Sequence, residues 1–112
     1  MLFTAQILPI IYVENKTKVD IENIYFTYEG CRTDDARIKK IKCGGRDTVC
    51  IYSKGYSGAK SLIMYNYGKN NIKYKYNVCD KLGFDYISSL KIQLLNINED
   101  GSIEIEIEKK HD

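Results

Sequence analysis

The sequence predicts an all-β fold, an antiparallel β-sandwich of about seven to eight short strands with an immunoglobulin-like architecture. Apolar side chains recur at every second position through most of the chain, which is the period of a half-buried strand. Clusters of Gly, Asn, Asp and Lys separate these stretches at intervals of roughly 10–15 residues, as turns between short strands do. The resemblance is to an architecture alone, because the chain has no Trp and lacks the Cys, Trp, Cys signature of antibody domains.

Length and composition indicate one globular domain spanning residues 1–112, with 44% hydrophobic and 29% charged residues. The net charge of +2 is too small to indicate nucleic-acid binding by itself. The apolar residues 2–13 lack a basic leading segment and are interrupted by Gln6 and Pro9, so we interpret them as a strand. We therefore expect a cytoplasmic protein without a membrane span, and the abundance of Ile, Lys, Tyr and Asn indicates a bacterial genome of low GC content.

The clearest strand pair lies near the C-terminus, where Ile and Glu alternate from residue 103 to residue 108. Its predicted partner is the segment 90–97, and residues 98–101 form the turn between them. Placing Ile97 opposite Ser102 gathers apolar side chains on one face and opposite charges on the other. The pairs predicted in this register are Ile92 with Ile107, Leu94 with Ile105, Lys91 with Glu108, and Gln93 with Glu106.

A second hairpin is predicted between residues 61–67 and residues 72–79, on either side of residues 68–71. Opposing Tyr67 to Ile72 places an aromatic, apolar set on one face and a polar set with two lysines on the other. The residues expected on the aromatic face are Ile63, Tyr65, Tyr67, Tyr74 and Tyr76.

Two further hairpins are predicted, one between residues 37–42 and 48–53 and one between residues 7–13 and 20–28. Three lysines in the first of these segments are typical of a strand edge that resists pairing with other chains. They are Lys39, Lys40 and Lys42.

If every connection reverses the chain, successive connections alternate between the two ends of the sandwich. The tight turns then share one end, and three longer connections, residues 29–36, 54–60 and 80–87, share the other. Longer loops on a rigid scaffold commonly carry binding sites, so we predict a binding site at this long-loop end. The residues expected to form it are Arg32, Asp34, Asp35, Tyr56, Lys81, Phe84, Asp85 and Tyr86.

Aromatic side chains and charges of both signs in one place are typical of a protein-binding patch. We therefore predict a non-enzymatic binding or interaction module for a protein or glycan partner, without a cofactor. The alternative is a structural or accessory protein that self-associates, as a dimer or larger, through an edge strand. The short stretch around Val49, Ile51 and Tyr52 fits such an edge.

Three other functions have weaker support. Single-stranded nucleic-acid binding is disfavoured because the lysines and tyrosines of residues 73–76 alternate and point to opposite faces of one strand. Calcium binding would rely on Asp34, Asp35, Asp80 and Asp85, whose spacing does not form a calcium loop. Catalysis lacks a base, because the single histidine, His111, lies next to the C-terminus and no phosphate-binding loop is present.

The four cysteines contain no C-x-x-C pair, which argues against a structural zinc site. We expect reduced thiols, as in a cytoplasm. If a disulfide forms, the alternation of connections favours Cys31 with Cys79, because both fall at the long-loop end.

Overall fold

The structure of the protein, a computed structural model, describes residues 10–28, 35–50, 60–82 and 87–111. These residues form eight strands and one short 3₁₀ turn, Lys69–Asn71, and none of their helical segments has the length and apolar character needed to span a membrane. The strands are β1 (Ile10–Asn15), β2 (Ile21–Tyr28), β3 (Ala36–Ile41), β4 (Arg46–Val49), β5 (Lys60–Tyr67), β6 (Lys73–Leu82), β7 (Ile87–Ile97) and β8 (Ile103–His111).

The strands form two four-stranded sheets that pack face to face. The first sheet has the order β4-β1-β7-β8 and the second has the order β3-β2-β5-β6. All neighbouring strands are antiparallel except β1 and β7, which run parallel. The prediction of an all-β sandwich is confirmed.

Apolar side chains at alternate positions of each strand fill the space between the two sheets. Ile11, Ile92 and Leu94 of the first sheet are fully buried there, and Phe26 and Met64 of the second sheet are at most 1% exposed. Burying a side chain of this size stabilises the fold by roughly 1.5–3 kcal/mol. The apolar face of each strand is therefore the reason that the two sheets pack together.

The β7–β8 hairpin confirms the four predicted pairs over most of its length. Ile92 lies opposite Ile107 and Lys91 lies opposite Glu108, as the alternation requires. Near the turn the register shifts by one residue between Leu94 and Asn96, so Ile97 lies opposite Ile103 and not opposite Ser102. The predicted end of the hairpin was wrong because the sequence pattern does not reveal this bulge.

The β5–β6 hairpin exists, but its predicted register was wrong by one residue. Tyr67 lies opposite Lys73, and Asn66, which is 6% exposed, lies opposite Tyr74 on the core side. Tyr65 and Tyr67 consequently point away from the core, and the four tyrosines do not share a face. A one-residue slip moves every side chain of a strand to the other face, and this strand is apolar on both faces.

The other two predicted hairpins were wrong. β1 pairs with β4 and β7, whereas β2 pairs with β3 and β5. The short connections after β1 and after β3 therefore carry the chain from one sheet to the other. The edge position predicted for Lys39 and Lys40 is confirmed, because β3 is the outermost strand of the second sheet and both residues are exposed.

A buried asparagine explains the crossing after β1. The side-chain amide nitrogen of Asn15 donates to the carbonyl oxygens of Val19, at 2.8 Å, and Ile41, at 3.1 Å. Its amide oxygen accepts from the backbone N–H of Thr17 at 2.9 Å and from the Thr17 hydroxyl at 2.7 Å. Asn15 thus supplies hydrogen bonds that a sheet partner would otherwise provide, which lets the chain turn between the sheets.

The tight turns share one end of the sandwich, as predicted. The backbone N–H of Gly44 donates to the carbonyl oxygen of Asn15 at 2.8 Å, and that of Lys69 donates to Asp100 at 3.0 Å. β1 and β7 run side by side in the same direction, so the turns that follow them lie together. The ends of the strands that flank residues 29–34, 51–59 and 83–86 consequently lie at the opposite end.

A second polar network joins the sheets near the same turns. The hydroxyl of Tyr76 donates to the side-chain oxygen of Asn66 at 2.8 Å, and the Asn66 side-chain nitrogen donates to the carbonyl of Gly101 at 2.9 Å. The backbone N–H of Ile103 donates to the Tyr76 hydroxyl at 2.7 Å. These bonds position β6 and β8 on the same side of the molecule.

Candidate functional site

The predicted long-loop site falls mostly outside the described residues, and its composition stays a prediction. The side chain of Lys81, in β6, is also outside them, whereas Asp35 is described and accepts a hydrogen bond from the hydroxyl of Tyr65. Cys79 is buried, and its predicted partner lies outside the described residues, so the disulfide remains a prediction. The predicted residues outside the described part are Arg32, Asp34, Tyr56, Phe84, Asp85, Tyr86 and Cys31.

The hydrogen bond between Asp35 and Tyr65 leads to a different surface, on the outer face of the second sheet. Strand register places four side chains in one row across this face: Arg37 of β3, Tyr25 of β2, Tyr65 of β5 and Lys75 of β6. The residue pair Tyr67 and Lys73 forms the next row towards the tight turns. We call this surface the tyrosine face and define it by Tyr25, Arg37, Tyr65, Tyr67, Lys73 and Lys75.

The three rings of the tyrosine face contact one another. Tyr25 and Tyr65 stack with their ring centroids 5.0 Å apart and an angle of 9° between the ring planes. Tyr67 meets both rings edge-on, with centroid distances of 6.1 Å to Tyr25 and 6.0 Å to Tyr65. These are the favoured geometries of aromatic pairs, and each pair contributes roughly 0.5–1.5 kcal/mol beyond its buried area.

Cations cover the rings. The ammonium nitrogen of Lys73 lies 4.1 Å from the centroid of Tyr65, and the guanidinium carbon of Arg37 lies 5.8 Å from that of Tyr25. The guanidinium of Arg37 also donates to the side-chain oxygen of Asn23. The cations are therefore held in place against the aromatic cluster.

Tyr65 is 7% exposed although it lies on an outer face. Burial, and then the hydrogen bond that its hydroxyl donates to Asp35, raise the pKa of Tyr65 above its usual value. The carboxylate of Asp35 accepts this hydrogen bond and keeps its single negative charge. Four cations, Arg37, Lys39, Lys73 and Lys75, are exposed on this side, which gives the tyrosine face an excess of positive charge.

The sequence did not reveal this surface because the predicted register placed the tyrosines of β5 and the lysines of β6 on opposite faces of the hairpin. The argument that lysines and tyrosines of β6 point to opposite faces is correct, since Tyr76 packs on the core and Lys75 is exposed. The lysines of β6 nevertheless meet tyrosines of the neighbouring strand β5. Register between strands, rather than alternation within one, brings them together.

The outer face of the first sheet has a different character. An open groove of about 730 Å³ lies across it, lined mainly by charged residues and by Tyr12. We call this surface the charged face and define it by Tyr12, Glu14, Arg46, Lys91 and Glu108. Arg46 forms an ion pair with Glu14 at 3.3 Å, and Lys91 lies opposite Glu108, so charges of both signs neutralise one another.

The described residues contain no group of three His, Cys, Asp or Glu side chains that could hold a metal ion. Cys43 and Cys50 are exposed free thiols, and the thiol of Cys43 donates to the carbonyl of Thr17 at 3.0 Å.

No protein-family model matches the sequence, and no curated protein matches it. The fold is similar to the solution NMR structure of a protein from Eubacterium rectale, with a TM-score of 0.55. The two sequences are 11% identical, and the similarity covers 89% of this chain and 87% of the other. At this identity the likeness is one of fold, extending over nearly the whole of both chains.

Proposed function

We propose that this chain is a non-enzymatic binding module that docks an acidic surface of a partner protein on its tyrosine face. The proposal is based on the combination of three interlocked tyrosines with four exposed cations, which outnumber the carboxylates of Asp35 and Glu22 on this side. Tyr and Arg are enriched at the energetic centres of protein interfaces, where rigid side chains lose little entropy on binding.

A protein partner fits this surface better than a nucleic acid does. Stacking of bases requires open ring faces. Tyr25 and Tyr65 cover each other, Arg37 lies over Tyr25, and Lys73 lies over Tyr65. The exposed parts are the Tyr67 side chain, which is 49% exposed, and the charged ends of the cations. This surface can exclude water from a few ion pairs with carboxylates, which suits an acidic protein surface.

The immunoglobulin-like architecture is part of this proposal, supported by two packed four-stranded sheets. In such a sandwich one sheet face can bind a partner while the core stays unchanged.

The experiment uses matched substitutions on the two outer faces. Tyr67→Ser and Arg37→Glu alter the tyrosine face, and Tyr12→Ser and Arg46→Glu make the same changes on the charged face. Tyr12 is 46% exposed, close to the 49% of Tyr67, so the two tyrosine variants lose similar exposed area. Each protein is immobilised, used to capture proteins from a nuclease-treated cell extract, and then titrated with the purified captured protein.

We expect the tyrosine-face variants to weaken binding of the captured protein by at least about tenfold and the charged-face variants to leave it unchanged. Substituting carboxylates of the captured protein should have the same effect as Arg37→Glu. Equal loss from both sets of variants would contradict the proposal. Tight binding of a dT15 oligonucleotide that Tyr67→Ser abolishes would replace the protein partner with a single-stranded nucleic acid.

A further inference from the structure

Two strand edges lie open on one side of the sandwich. β6 is the last strand of the second sheet and β8 the last strand of the first, and no described strand pairs with the outer edge of either. The bond from the backbone N–H of Ile103 to the Tyr76 hydroxyl shows that these edges lie over one another. An unpaired edge presents a row of backbone donors and acceptors that can pair with another strand.

A cleft separates the two edges. It has a volume of about 490 Å³ and is lined by the apolar Val78, Cys79 and Ile107 together with the polar Asn77 and Lys109. Ile105, Ile107 and Tyr76 point towards the core but are only partly buried. The open side of the sandwich therefore exposes apolar area that a covering strand would bury.

The two edges carry opposite charges at the same spacing. The outward side chains of β6 include Lys73 and Lys75, and those of β8 include Glu104, Glu106 and Glu108. In each strand the inward positions alternate with these charges and are mainly aromatic or apolar. A strand with the pattern of β8 would extend the second sheet beyond β6, with its carboxylates beside the lysines and its isoleucines on the core side.

We propose that two copies of this chain form a symmetric dimer in which β6 of each copy pairs with β8 of the other. This inference uses Lys73 and Lys75 of the tyrosine face, and the substitution of Glu104 and Glu106 tests it without altering that face. Both strands leave the tight-turn end, so they run in the same direction, and a two-fold axis along the strands pairs them in parallel. The same rotation puts the outer faces on the same side and joins the four-stranded sheets into two continuous sheets of eight.

The alternative symmetry is a two-fold axis perpendicular to the sheets, which would pair β6 with β6 and β8 with β8 in antiparallel order. At full overlap the start of each strand would then meet the end of its copy, so that Lys73 meets Leu82 and Glu106 meets Glu108. Only the pairing of β6 with β8 places the lysines of one edge beside the glutamates of the other.

The test measures mass in solution by size exclusion with light scattering at about 100 µM chain, a concentration at which micromolar dimers are populated. The wild-type chain should elute at twice its 13.0 kDa mass. The variants E104K/E106K and K73E/K75E should each raise the dimer dissociation constant by at least about tenfold, because attraction between the edges becomes repulsion. The control E22K/D47K changes two exposed carboxylates on β2 and β4, away from these edges, and should leave the dimer intact.

Restoring opposite charges on the two edges distinguishes this dimer from other assemblies. An equimolar mixture of the two edge variants should form a heterodimer, and one chain with all four substitutions should again form a homodimer. Urea unfolding of each variant checks that the fold is retained. A wild-type chain that is monomeric at this concentration would overturn the proposal, and so would a dimer that single-edge charge reversal leaves unchanged.

Discussion

The two outer faces of this sandwich belong to sheets of four strands each, but their outward side chains are arranged differently. On the charged face, cations and carboxylates alternate between strands, as with Arg46 and Glu14, and a single tyrosine, Tyr12, stands exposed among them. On the tyrosine face, three rings pack against one another and cations lie over them. The first arrangement cancels charge locally, whereas the second retains positive charge over an aromatic base.

A position on an outer face does not by itself make a side chain exposed. Tyr65 is 7% exposed and Tyr12 is 46% exposed, although both are tyrosines on solvent-facing sides of strands. The difference lies in their neighbours, because Tyr65 contacts Tyr25 on the adjacent strand and Tyr67 on its own strand, and it has a hydrogen bond to Asp35. The tyrosine face is thus a small second cluster outside the core, with a defined shape that a partner can meet.

The largest expected difference concerns stability. Tyr65→Ala should lower the free energy of unfolding by about 3 kcal/mol, since it removes a buried ring, its aromatic contacts and a hydrogen bond. Tyr12→Ala should cost less than about 1 kcal/mol, as exposed substitutions do. Urea unfolding at pH 7 measures both values. Equal costs would show that the tyrosine face is not a packed cluster.

An intermediate effect is expected behind the tyrosine face, where Asn66 joins the sheets. Asn66→Ala leaves the Tyr76 hydroxyl and the carbonyl of Gly101 without their partner and should cost about 2 kcal/mol. The control is Asn96→Ala, which removes an exposed amide bonded to Glu104 and should change stability by less than about 0.5 kcal/mol. Urea unfolding of both variants measures the two changes in the free energy of unfolding. A cost for Asn66→Ala as small as that of the control would show that this network does not stabilise the fold.

The smallest effect is a pH dependence. The folded protein raises the pKa of Tyr65, so the stability that neutral Tyr65 provides is complete below the unfolded pKa of about 10 and is lost as the pH rises above it. Tyr65→Phe should be less stable at pH 7 and should lose less stability between about pH 9 and pH 11. Tyr74 and Tyr76, whose pKa values are also raised by burial, remain in both proteins and leave a residual slope. Unfolding curves with identical slopes in the two proteins would contradict this role of Tyr65.

The parts of the fold that the sequence predicted correctly are those in which both faces of a strand agree. In β8 every isoleucine is matched by a glutamate on the other face, so one pairing with β7 satisfied both sides, apart from the bulge near Leu95. The tight turns fell at one end because reversal of direction alone determines that alternation.

The parts of the fold that the sequence did not predict depend on buried polar side chains. The pattern of apolar residues does not reveal which polar side chains are buried. Asn15 and Asn66 are both buried, and each provides hydrogen bonds inside the sandwich. Asn15 supplies hydrogen bonds where the chain crosses from one sheet to the other. Such crossings stand where the sequence predicted two hairpins. Asn66 occupies a core position and turns Tyr65 outward, which changed the register of β5 and created the candidate site. The predicted register placed the polar Asn66 on the same face as the lysines of β6, which was wrong, because Asn66 lies on the core side.

The claim that the tyrosine face binds the partner is tested most directly by NMR of the tyrosine rings in the intact chain. Ring signals of a ¹³C-tyrosine-labelled protein are followed while the purified captured protein is added. We expect the Tyr25 and Tyr67 signals to shift or broaden, and the signals of Tyr12, on the opposite face, to stay in place. Perturbation of Tyr12 with unchanged Tyr25 and Tyr67 signals would contradict it.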